Sequence, residues 1–89
     1  MDQVKIGSFI KEIRKEKGLT QEQLAEKLDV SQKSVSRWET GKTMPDLSLY
    51  EPLCEVLGIQ VSELLYAKRM SNDEKAAQGE KTALNLIMT

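Results

Sequence analysis

Histidine is absent from this chain of 89 residues, and cysteine occurs once, as Cys54. That excludes a His/Cys zinc site, a histidine-dependent catalytic triad and an internal disulfide. The single thiol gives no reason to place the protein in an oxidising compartment. It falls inside an apolar pattern, where a small buried side chain is the ordinary use. Aromatic residues are scarce, with one Phe, one Trp and two Tyr. Alternating β-branched runs are few, and no Asn-Gly or Asp-Gly hairpin turn separates apolar segments, so strands are not expected. No window approaches the roughly 20 apolar residues that cross a bilayer, and the N-terminus lacks the apolar stretch of a secretory signal. The expectation is a cytoplasmic protein without membrane contact. With 39% hydrophobic and 30% charged residues, what remains is one small globular domain.

Net charge is −1, but it is unevenly spread. Residues 1–45 carry nine Lys/Arg against seven Asp/Glu, and residues 46–89 four against seven, so the halves stand at +2 and −3. A modest positive balance does not by itself imply a polyanionic partner, and position on the fold must decide.

The apolar spacing predicts an all-α fold of five helices over residues 4–66. Between Val4 and Lys17, Ile6, Phe9, Ile10 and Ile13 recur at three- and four-residue intervals, and Gly18 supplies a left-handed stop. Thr20 with Gln23 forms a capping box ahead of Leu24, Ala25 and Leu28. Asp29 occupies a turn, and Ser31 caps a third helix with Val35 and Trp38 on one side, ending near Gly41. After a loop from Thr40 to Leu47, Ser48 and Glu51 read as a second capping box. That places the fourth helix start at Ser48 and Pro52 in a tolerated early position. Leu49, Leu53, Cys54 and Leu57 then face inward, Gly58 ends the helix, and Val61, Leu64 and Leu65 mark a short fifth. From Ala67 the composition turns polar and Gly79 interrupts any helix, so residues 67–89 read as a linker or tail. Ala83, Leu84, Ile87 and Met88 could begin a truncated amphipathic helix.

Helices two and three read as a helix-turn-helix, in which the first helix braces the second against a DNA major groove. Ala25 falls where steeply crossing helices approach closely, and Val30 plugs the turn. The run GLTQEQLAEKLDVSQKSVSRWETGK, from Gly18 to Lys42, closely resembles the phage-repressor or Cro type of regulator, often called Xre-like, over roughly residues 4–66. One departure is Asp29, where that family usually has glycine because the backbone φ is positive. Asp enters the left-handed region at a cost of about 1 kcal/mol, so the turn is slightly strained.

With Val35 and Trp38 inward, helical geometry leaves Gln32, Lys33, Ser36 and Arg37 on the opposite side of helix three. Gln can pair bidentately with adenine, and Lys or Arg with guanine, so these residues carry the donors and acceptors to read base edges. The resemblance implies base reading at Gln32, Lys33 and Arg37, with Ser36 a weaker candidate. It implies phosphate anchors at Gln21 and Lys42, to which Thr43 and free backbone amides near Gly41 would add. It also implies a partly buried ion pair between Arg14 and Glu39, a structural role shared with Ala25, Val30, Val35 and Trp38. Trp38 as a stacking platform for single strands is the weaker reading, since Phe9, Tyr50 and Tyr66 fall on different helices. Phe9 itself lies at the margin of its apolar face.

The function expected is sequence-specific binding of double-stranded DNA by a transcriptional regulator. Two copies would act on an inverted-repeat operator, with half-sites about one helical turn apart. The dimer surface is placed at Gly58 to Val61 and helix five by family resemblance, with the tail around Leu84 and Ile87 as rival. An antitoxin-like adaptor using the same fold toward a protein partner is the alternative. No cofactor is expected, nor an enzyme, because no nucleophile, base and oxyanion donor converge in any motif. Glu12, Glu16, Glu22 and Glu26 read as solvated helix faces.

Overall fold

A computed structural model describes residues 1–70. Among them the elements are α1 (Gln3–Glu16), α2 (Gln21–Leu28), α3 (Gln32–Glu39), a 3-10 turn (Leu47–Leu49), α4 (Tyr50–Leu57) and α5 (Val61–Tyr66), with no strand. The tail positions Leu84 and Ile87, like Gly79, Ala83 and Met88, lie outside the described residues.

Local chemistry sets most boundaries. The Asp2 carboxylate accepts from the Val4 and Lys5 amides, fixing Gln3 as the first residue of α1. Thr20 and Gln23 cap α2 reciprocally: the Gln23 amide donates to Thr20 Oγ1 at 3.0 Å, and the Thr20 amide to Gln23 Oε1 at 2.9 Å. Ser31 Oγ accepts from the Ser34 amide at 3.1 Å and starts α3.

The fourth helix begins differently from the sequence expectation. No side chain caps α4; Asp46 instead caps the 3-10 turn that leads into it, its Oδ2 accepting from both the Ser48 amide, 3.1 Å, and Ser48 Oγ, 2.5 Å. These two bonds hold the Asp46 carboxyl below its usual range. Ser48, donating its hydroxyl to Asp46, sits inside the 3-10 turn, and α4 follows from Tyr50. Pro52 is then the third residue of α4, where its missing N–H is one of the helix's unpaired amides.

One core holds the bundle, formed by Ile6, Phe9, Ile10 and Ile13 of α1, Leu24, Ala25 and Leu28 of α2, Val35 and Trp38 of α3, Leu53, Cys54 and Leu57 of α4, and Leu64 of α5. Phe9 is fully part of it. Leu49 and Leu65 are half-buried and Val61 is exposed, so Leu64 is what α5 gives to the apolar core, beside a buried Glu63. Packing continues beyond Tyr66. Ala67 adopts a left-handed φ of 55°, the Glu63 carboxylate accepts from the Gln60 amide at 2.8 Å and from the Met70 amide at 3.1 Å, and the Met70 side chain is buried.

Helix α1 lies directly on α3 because Gly7 has no side chain. A Cβ built there would stand 2.0 Å from the Trp38 carbonyl oxygen and 3.2 Å from the Glu39 carbonyl carbon. This close approach brings the N-terminal half of α1 against the C-terminal end of α3.

Candidate nucleic-acid interface

The turn between α2 and α3 is closed by backbone geometry that Asp29 makes possible. Its φ of 57° and ψ of 43° let the Val30 amide return to the Ala25 carbonyl at 3.0 Å. Ala25 is buried at the crossing, and Val30 is half-buried against the core.

Helix α3 has two unlike faces. Val35 is 0% exposed and Trp38 4%, which clamps the inner face to the bundle. Gln32, Lys33 and Arg37 are exposed on the outer face, and Ser36 is half-buried between the two. Lys42 and Thr43 follow in the turn after α3, both exposed. The outer strip therefore presents one carboxamide and two cations, with a third cation beyond its C-terminal end.

Behind the strip lies a buried polar junction. Glu39 Oε2 accepts from Arg14 Nε at 2.6 Å, and Oε1 accepts from Arg14 Nη2 and from Gln21 Nε2, each at 3.0 Å. Arg14 Nη1 donates to the Leu19 carbonyl at 2.7 Å. The Arg14 and Glu39 side chains are 8% and 1% exposed. This fork-on-carboxylate arrangement satisfies both charges and joins α1, the α1–α2 turn, the start of α2 and the end of α3.

Gln21 thus sits at the junction rather than projecting freely into solvent. One proton of its carboxamide nitrogen is committed to Glu39, and the side chain as a whole is half-buried. The amides near Gly41 are not free, contrary to the sequence expectation. Gly41 N donates to the Trp38 carbonyl at 3.0 Å, and Lys42 N and Thr43 N donate to the Arg37 carbonyl at 2.9 and 3.4 Å. Gly41, at φ 75°, turns the chain back so that these donors close the helix end instead. The exposed groups that this turn still offers are the Lys42 and Thr43 side chains.

Sequence reasoning overlooked Gly7, Gln3 and the Gln21–Glu39 bond. A glycine inside an otherwise periodic helix was the available signal for the first. The others depend on distances between elements that one sequence does not encode locally.

Residues 10–64 match the family described as helix-turn-helix. The chain belongs to the helix-turn-helix family. It is 40% identical over 76 residues to the immunity repressor protein of Bacillus phage phi105, a match covering 85% of this chain and 53% of the repressor. The chain thus spans about half the length of that relative. Among solved structures, the restriction-modification controller protein C.AhdI of Aeromonas hydrophila superposes with a TM-score of 0.66 at 35% identity, covering 71% of this chain and 96% of that one. PlcR of Bacillus thuringiensis, solved with the peptide PapR7 and DNA, gives a TM-score of 0.67 at 32% identity, covering 94% of this chain and 30% of that one. The likeness to these two solved structures is a likeness in fold over the share of each that is covered.

Proposed function

We propose that the protein is a transcriptional regulator that binds double-stranded DNA sequence-specifically, with α3 in the major groove. The observation that carries this is the strip of Gln32, Lys33 and Arg37, open to docking on a helix whose other face is locked by Val35 and Trp38. Gln32 reads adenine, and Lys33 and Arg37 read guanine, with Ser36 accepting or donating where the groove floor comes near. Lys42 and Thr43, together with Gln21, grip phosphates on either side and set the register. The reading unit is residues 1–66, which works in the cytoplasm without cofactor or catalysis. A unit of this size offers little contact area, so two copies act together on an inverted repeat.

Selection of preferred duplexes from a random pool, followed by titration over a salt series, tests this. A palindromic consensus is expected. Log affinity should fall with log salt at about 0.9 per neutralised phosphate. Arg37→Ala should cost about 1–3 kcal/mol and relax one base position, whereas Lys42→Ala should weaken all duplexes alike. Failure to enrich any duplex, with no salt dependence, would overturn the reading and turn attention to a protein partner.

A further inference from the structure

The peptide unit that carries Lys42 into the turn after α3 is held on both sides. Its N–H, that of Lys42, donates to the Arg37 carbonyl at 2.9 Å. Its carbonyl, that of Gly41, accepts from Gln3 Nε2 at 2.6 Å, across 38 residues of sequence. The neighbouring side chain closes the remaining space: a Cβ on Gly41 would lie 2.9 Å from Val4 Cγ2 and 3.0 Å from Val4 Cα. The first turn of α1 therefore forms a wall against which this turn is set.

Three separate features of the sequence place Gln3 there. Asp2 caps the helix and makes Gln3 its first residue. Gly7, one turn later on the same helix, lets α1 descend onto the Trp38–Glu39 backbone. Gly41 supplies the positive φ that presents its carbonyl to the carboxamide. The contact of Gln3 and Val4 with the turn is not itself part of the core, since both residues are exposed. An exposed carboxamide reaching a loop carbonyl contributes order to that loop more than stability to the fold.

We infer that Gln3, backed by Val4, is a positioning residue for DNA binding, holding the Gly41–Thr43 turn in the conformation from which Lys42 and Thr43 reach phosphate. This rests on the DNA-binding reading above and extends it to a part of α1 outside the helix-turn-helix. Gln3 acts through Lys42, so its effect belongs to the sequence-independent part of the affinity. Base preference, set by α3, is left alone.

The test is a double-mutant cycle on the full chain, with wild type, Gln3→Ala, Lys42→Ala and the double variant titrated against a preferred and a random labelled duplex. Backbone amide spectra and melting temperatures of the free proteins accompany it. Gln3→Ala should weaken both duplexes equally, by about threefold to tenfold, the worth of one net hydrogen bond. In the Lys42→Ala background it should cost clearly less, only what the positioning of Thr43 still contributes. The Gly41, Lys42 and Thr43 amide signals should shift while the melting temperature stays within a few degrees. A Gln3→Ala loss that adds fully to that of Lys42→Ala, a loss confined to the preferred duplex, or unmoved Gly41–Thr43 signals would each overturn the inference. Failure of the DNA-binding reading shows separately, in wild-type protein that holds neither duplex, and the inference falls with it.

Discussion

Replacing Gly7 by alanine tests the packing that sets α3 in place. In an exposed helix interior the exchange ordinarily stabilises by about 1 kcal/mol, because glycine loses more backbone freedom on folding. Here the new methyl would stand 2.0 Å from the Trp38 carbonyl oxygen, against the 3.4 Å or more of ordinary contact, so α1 must retreat by roughly 1.4 Å. The obstructing atoms are backbone on α3, which cannot swing aside as a flexible side chain would. Overpacking of this kind costs about 1–3 kcal/mol, and the retreat also loosens Ile6 and Ile10 from the core. We expect a net loss of about 2 kcal/mol or more from a domain that holds roughly 5–10 kcal/mol. Urea unfolding followed by the fluorescence of Trp38, the single tryptophan, reads it directly. Ser8→Ala, at an exposed position on the same helix, is the control and should shift stability by no more than a few tenths of a kcal/mol. A Gly7→Ala variant as stable as wild type, or more so, would refute the close approach of α1 to α3.

Arg14→Ala should destabilise by about 3–5 kcal/mol, because it leaves the Glu39 carboxylate buried with Gln21 as its remaining side-chain donor. Unfolding of Arg14→Ala, Glu39→Ala and the double variant should show the double costing clearly less than the two singles together, and additive losses would refute a coupled pair. Asp29→Gly and Ala67→Gly, both at positive φ, should each be neutral or stabilise by up to about 1 kcal/mol in thermal melts. A loss beyond about 1 kcal/mol at either would mean that the side chain does more there than tolerate the turn. Burial, helped by the charge of Glu63, pushes the Cys54 thiol up from 9.0 to about 11. Alkylation at pH 8.5 should therefore be about a hundredfold slower in native protein than in urea, and equal rates would contradict the burial. Because the folded state favours the neutral thiol, its contribution to stability is present below pH 9 and is lost as pH climbs from 9 toward about 11.

Much of the architecture was legible because it is encoded locally. The Thr20–Gln23 box, the Ser31 cap and the glycines at 18, 41 and 58 act within a few residues, and the apolar spacing of Ile6, Ile10 and Ile13 fixes the inner face of α1. The split of α3 into a Val35–Trp38 face and a Gln32–Lys33–Arg37 face follows from the helical period alone. A serine followed three residues later by glutamate fits a capping box, but at Ser48 it also fits a 3-10 turn governed by the preceding Asp46, whose carboxylate takes both the Ser48 amide and its hydroxyl. Gln3 and the Gln21 bond to Glu39 carry no local signal, and Gly7 shows in the sequence only as a glycine inside a periodic helix. Each depends on how closely two elements approach, and Gly41 was read as a chain stop when it is also the acceptor for a side chain 38 positions away. Met70 escaped notice inside a polar stretch, although Glu63 holds its amide.

The central claim is that α3 meets DNA with its outer face. Titrating the isotopically labelled chain with its preferred duplex, and following backbone and side-chain signals, tests this most directly. The largest changes are expected on Gln32, Lys33, Ser36, Arg37 and Lys42, with Val35 and Trp38 moving little. Changes concentrated on α4 and α5 instead, with the α3 strip unmoved at saturating duplex, would contradict it.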